Sequence, residues 1–285
     1  MLGTIIKGIA GFYYVKVNDE VIECKARGKF RYNELTPMVG DKVEIDVVKN
    51  KGSIEKILPR TTELIRPAVS NVTQAFVVFA LKNPEINEDL LNKFLISCEY
   101  NNLKVVICFN KKDLASEEEN EIVKHLRAAN YDILTIQAKG DDELLELRKK
   151  LRDNITVFCG PSGVGKSTLL NKLVGATVMQ TGEISNRLQR GKHTTRHSEL
   201  IEVDGGFVVD TPGFSIMDID YIPKEKLQYC FPEFEPYISQ CRFRGCIHNK
   251  EPECAVKTAV EEEKIYVERY NFYKKLIDEY KDRRY

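Results

Sequence analysis

Three groups of residues in this chain have types and spacings suited to chemistry. The first is Gly160-Pro161-Ser162-Gly163-Val164-Gly165-Lys166-Ser167, with Thr168 next. It fits the phosphate-loop pattern: glycines let backbone amides converge on phosphate oxygens, and the helix that follows adds its positive N-terminal end. The apolar strand Thr156–Cys159 precedes it and the helical run Leu169–Val174 follows, as the pattern requires. Here Lys166 is expected to neutralise β- and γ-phosphates and Ser167 to ligate Mg2+.

The second group names the base. Asn110-Lys111-Lys112-Asp113 sits at the end of strand Lys104–Phe109, where α/β sheets place ligand contacts. Asp113 can accept both the ring N–H and the exocyclic amine of guanine, a charge-assisted pair. Adenine offers no such donor pair, so the carboxylate would be left desolvated and unpaired. Lys111 can lie over the base, while Asn110 ties neighbouring loops together. Gln137-Ala138-Lys139, after strand Ile133–Ile136, fits a second base-contacting loop, with the Ala138 amide reaching the guanine oxygen. Asp210-Thr211-Pro212-Gly213 follows strand Phe207–Val209; Asp210 would hold the Mg2+ shell and the Gly213 amide would sense the γ-phosphate.

Base motifs come before the phosphate loop here, the reverse of the order in small GTPases. Joining old termini and opening new ones elsewhere keeps such a sheet intact. The position beside Asp-x-x-Gly, where small GTPases carry a water-orienting glutamine, is Phe214, so slow intrinsic hydrolysis is expected. His193, in Gly191-Lys192-His193-Thr194-Thr195, is either its replacement or a solvated loop residue. One of Thr194 and Thr195 contacts Mg2+, with Thr195 favoured. The catalytic candidates are thus His193, Lys166 and Asp210. Arg187, Arg190, Lys192 and Arg196 are equally a solvated charged loop or a surface for an RNA backbone.

The third group is Cys241-x4-Cys246-x-His248-x5-Cys254, three thiols and an imidazole in one short segment. That is the Cys3His set of a closed structural zinc site, and its soft ligands disfavour Mg2+ or Ca2+. Arg242, Arg244 and Lys250 around it either meet phosphates or offset thiolate charge. Cys98, Cys108 and Cys159 sit in apolar stretches and read as small buried thiols, while Cys24 and Cys230 carry no signal.

The elements that must position these groups fall into three regions, a multidomain α/β organisation. Residues 1–66 hold candidate strands Thr4–Ile9, Tyr13–Val17, Val21–Ala26, Lys42–Val48 and Ser53–Leu58, which suggest an OB-fold barrel. Such a barrel either binds nucleic acid or serves as a docking platform. Residues 67–216 alternate strands with helical runs, including Glu117–Asn130 and Asp142–Arg152, as in a doubly wound domain with a permuted phosphate loop. Residues 217–285 carry the cysteine cluster, then a charged helical stretch from Ala255 to Asp282. Lys and Arg number 43, as do Asp and Glu, so no global field advertises a nucleic-acid partner. Met1–Val15 reads as a strand pair rather than a signal peptide, and no uncharged apolar run is long enough for a bilayer. A soluble cytoplasmic protein is expected.

Together these motifs resemble the RsgA family of circularly permuted GTPases, factors in small ribosomal subunit biogenesis, along the whole chain. The resemblance implies GTP/GDP, Mg2+ and one structural Zn2+ as bound groups. It also implies the small subunit and its 16S rRNA as partners, subunit-stimulated hydrolysis late in maturation, a monomer, and His193 as the water-positioning residue. Gln137 departs from the serine many GTPases have there. The competing reading is an RNA-binding protein in which GTP is mainly structural and turnover incidental.

Overall fold

Short alternating or β-branched runs near the amino end form five strands that close into a barrel. The computed structural model describes residues 1–28, 30, 36–49, 51–65, 67–114, 121–137, 142–175, 198–210 and 219–282. Strands β1 (Leu2–Ile9), β2 (Phe12–Val17), β3 (Glu20–Ala26), β4 (Lys42–Val48) and β5 (Lys51–Ile57) lie within a few residues of the expected positions. β1 pairs with β2, β2 with β3, β3 with β5, β5 with β4, and β4 again with β1. Only the β3–β5 ladder is parallel, and β4 closes the ring against Leu2–Thr4 of β1, leaving the far half of β1 to meet another strand. Ile5, Val15, Cys24, Val43, Ile45 and Ile54 fill the interior.

Below the barrel, β6 (Glu63–Leu64) and β7 (Val69–Ser70) pair briefly. The buried Asp41 carboxylate fixes this junction, accepting from Met38 N at 2.7 Å, Ser70 Oγ at 2.7 Å and Arg60 Nε at 2.7 Å. Gly40 makes the approach possible: its φ is +93°, and a Cβ would lie 2.0 Å from Ser70 O.

The α/β part follows in chain order: β8 (Gln74–Ala80), α1 (Glu88–Tyr100), β9 (Lys104–Asn110), α2 (Glu121–Ala128) and β10 (Asp132–Thr135) come first. Then come α3 (Asp142–Leu151), β11 (Ile155–Cys159), α4 (Lys166–Val174), β12 (Glu199–Val203) and β13 (Gly206–Asp210). β8 and β11 are buried along their whole length, as strands covered on both faces must be. Asp204 and Gly205, with φ of +50° and +79°, form the two-residue turn between β12 and β13 that the Asp-Gly pair favours.

The chain divides into two compact units, 1–76 with 138–215 and 77–137 with 216–285. In the first, β11 pairs in parallel with β13, β13 antiparallel with β12, and β12 with barrel strand β1, where Lys7 sits opposite Glu199. In the second, β9 lies between β8 and β10, and Asn87 caps α1 by accepting Leu90 N at 2.9 Å. That unit ends in α5 (Glu235–Ile238), α6 (Ala255–Glu261) and α7 (Val267–Asp282), whose core of Leu227, Phe231, Phe234, Tyr273 and Ile277 also takes in Ile96 of α1.

The expected continuous stretch from Ala255 to Asp282 is two helices. Glu263 turns left-handed at φ +59°, and the amides of Lys264 and Ile265 fold back onto Ala259 O while Ile265 buries itself. A hydrophobic anchor after a left-handed residue stops a helix whatever the propensities of its neighbours. Among the described residues, no helix is long and apolar enough to cross a membrane.

Candidate functional site

The phosphate-loop residues follow the buried strand β11 directly. Gly160, Gly163 and Gly165 take positive φ values of 135°, 80° and 98°, open to glycine and strained for other residues. Val164 is fully buried and pins the loop, while Gly165 begins α4, which Leu169, Leu170 and Leu173 anchor to the core. Ser167 and Thr168 stand in the first turn of α4, where amides lack intrahelical partners and attract an anion. Lys166 Nζ donates to Gly160 O at 2.7 Å and to Pro161 O, and burial lowers its pKa. A phosphate would offer that ammonium a charge-assisted partner stronger than either carbonyl. β11 and β13 run in parallel with Ile155 beside Phe207, so three residues on Asp210 is level with Phe158, at the same sheet end as the loop.

In the other unit, Asn110 closes β9, buried, with its carbonyl accepting Leu81 N at 3.0 Å. Lys111 takes a left-handed φ of +62° and its Nζ donates to Asn83 O. Lys112 opens a single 3-10 turn through Leu114, its amide donating to Ile136 O at 3.2 Å, and Asp113 is exposed on that turn. The first base motif and the strand leading to the second are thereby stitched together. Ala138, Lys139, Arg187, Arg190, Lys192, His193, Thr194, Thr195, Arg196, Gly213 and Phe214 lie outside the described residues.

Cys241, Cys246, His248 and Cys254 converge, with one donor atom from each within 4.8 Å of all the others. His248 Nδ1 is 3.5, 3.4 and 3.3 Å from the three sulfurs, and the sulfurs of Cys241 and Cys254 are 3.8 Å apart. A tetrahedral ion with Zn–S of about 2.3 Å and Zn–N of about 2.0 Å gives edges of roughly 3.5 to 3.8 Å. The donor set and its spacing therefore fit zinc. Burial pushes the Cys246 thiol up to about 12 and raises Cys254, so a central cation is what would hold these sulfurs as thiolates.

Residues outside the Cys-Cys-His-Cys pattern surround this set. His248 Nε2 lies 2.8 Å from Gln228 Oε1, which can only accept, so Nε2 carries the proton and Nδ1 turns a lone pair to the sulfurs. Tyr270 and Tyr273, one helical turn apart on α7, donate to His248 O and Ile247 O at 2.9 and 2.7 Å. Glu251 accepts the amides of Ile247 and Asn249. The tyrosines' spacing on a helix was the available signal; Gln228 offered none.

The chain matches the family model described as RsgA GTPase over residues 57–220 and that of the RsgA N-terminal domain over 2–54. A protein of Clostridium botulinum strain Hall named small ribosomal subunit biogenesis GTPase RsgA is 60% identical, with 100% of this chain and 99% of that one covered. A Clostridium kluyveri protein of the same name is also 60% identical, over 98% of both chains. Among solved structures, the circularly permuted GTPase YloQ matches with a TM-score of 0.85 at 39% identity, over 100% of this chain and 96% of that one. YjeQ from Thermotoga maritima matches at 0.84 and 36%, over 98% and 97%.

Proposed function

Because this chain belongs to the RsgA family of circularly permuted GTPases, we propose that it hydrolyses GTP on the small ribosomal subunit, late in that subunit's maturation. The observation that carries this reading is full-length similarity to proteins named for small-subunit biogenesis, joined to a phosphate loop and a base motif complete in every residue. In this reading Asp113 accepts the two guanine donors, Lys111 covers the base face, and Asn110 and Lys112 hold the turn. The Ala138 amide reaches the guanine oxygen, with Lys139 beside it. The amides of 160–168 and the Lys166 ammonium take the phosphates. Ser167, Thr195 and Asp210 would hold Mg2+, which supplies charge to offset the leaving phosphates. His193 orients the attacking water in place of the absent glutamine, and Gly213 senses the γ-phosphate. Cys241, Cys246, His248 and Cys254 would hold one structural Zn2+, which contributes folding free energy and no open coordination position.

The barrel (1–66), nucleotide domain (67–216) and zinc module (217–285) divide the work in this reading, and 16S rRNA is the surface met by a monomer in the cytoplasm. GTP and ATP hydrolysis, measured with and without purified small subunits, test it. Stimulation confined to GTP is expected. GTP turnover that ignores the subunit would remove the trigger and favour an RNA-binding protein with incidental turnover. A Lys166→Ala variant then separates the two: RNA binding that loses no nucleotide dependence rules out the switch.

A further inference from the structure

One fully buried guanidinium belongs to neither site. Arg269, on α7, is 1% exposed. Its Nε and Nη2 donate to the Glu233 carboxylate, the second at 3.2 Å, and Nη1 donates to Asn92 Oδ1 at 2.7 Å. The guanidinium also lies 5.6 Å from the centre of the Tyr131 ring and 5.2 Å from that of Phe231. Burying such a pair adds little stability over apolar residues of the same size, so its use here is sought in what its fixed hydrogen bonds align.

The parts so arranged all bear on β9. Asn92 is on α1, which packs against β9, and Tyr131 immediately precedes β10, which pairs with β9 from Asp132 to Thr135. Arg269 thus bonds a residue of the helix packed on β9 and lies against the residue that leads into β10, the strand paired with β9 on one side. At the far end of β10, Ile136 N donates to Phe109 O at 2.8 Å and Ile136 O accepts Lys112 N. These two bonds tie the end of β10 to β9 and to the turn that carries Asp113.

We propose that Arg269 is a positioning residue for guanine recognition, clamping α1 and the start of β10 to the C-terminal segment and so setting the turn of Asp113. The inference rests on reading Asp113 as the guanine acceptor. Isothermal titration of the full-length protein with GDP and with inosine diphosphate, which lacks the exocyclic amine, separates the base contact from the phosphates. The double variant Glu233→Leu, Arg269→Met removes both charges together and leaves no unpaired one. It is expected to lower the preference for GDP about fivefold, the low end of ordinary coupling between sites, with an unchanged circular dichroism spectrum. Asn92→Ala, which cuts only the link to α1, is read the same way and carries the test if the double variant does not fold. Asp113→Ala is the reference and should abolish the preference. If it does, and the clamp variants keep theirs, the role of Arg269 is overturned. Equal loss of affinity for both nucleotides also overturns it, since that is general loosening. If Asp113→Ala leaves the preference intact, the guanine reading falls and this inference with it.

Discussion

Gln228 sits 20 residues before His248 and in a different turn, yet its carbonyl oxygen decides which imidazole nitrogen faces the sulfurs. Replacing it with leucine keeps the volume and deletes the acceptor. Metal affinity should then fall about 10- to 100-fold, as for other partners that orient a metal-ligating histidine, read by chelator competition. An unchanged affinity would mean that Tyr270 and the backbone suffice to hold the ring. Glu99 is a second residue whose surroundings set its behaviour. Burial pushes its carboxyl from 4.5 up to about 7, with Glu233 adding and the Tyr131 hydroxyl and Arg269 opposing. The folded protein holds this proton more tightly than the unfolded chain does. Its contribution to stability is therefore complete below about pH 4.5 and is lost as pH rises through about 7. Urea midpoints should decline over that window, and Glu99→Gln should flatten the decline. Equal slopes for both proteins would reject the assignment.

At the scale of elements, the chain's own pattern set much of the outcome. Short alternating or β-branched runs marked the barrel strands, and Asp-Gly marked the β12–β13 hairpin, because both signals are local. The break between α6 and α7 was not legible: the run of Glu261, Glu262 and Glu263 has good helix propensity, and only the burial of Ile265 overrides it. Gly40 is constrained by the backbone of β7, a contact that no local pattern in the sequence signals. Gly40→Ala should destabilise by about 1–3 kcal/mol from the left-handed conformation alone, and more from the contact with Ser70 O. A melting temperature equal to that of the parent protein would show that β7 can retreat.

At the scale of the whole molecule, the permuted order of motifs and the metal cluster could be read from spacing, since each motif is short and contiguous. Partners far apart in sequence could not: Arg269 and Asn92 are 177 residues apart, and nothing in the intervening chain announces their contact. The same distance governs the seam between β1 and β12. There Lys7 Nζ meets Glu199 at 2.7 Å across 192 residues, while every ladder of the barrel closes within residues 2–57. Loop closure sets the pace of such contacts, so the barrel can assemble from its own strands long before the seam can form. The far half of β1 on a finished barrel would then be a ready template, and β12 is expected to be added to it late.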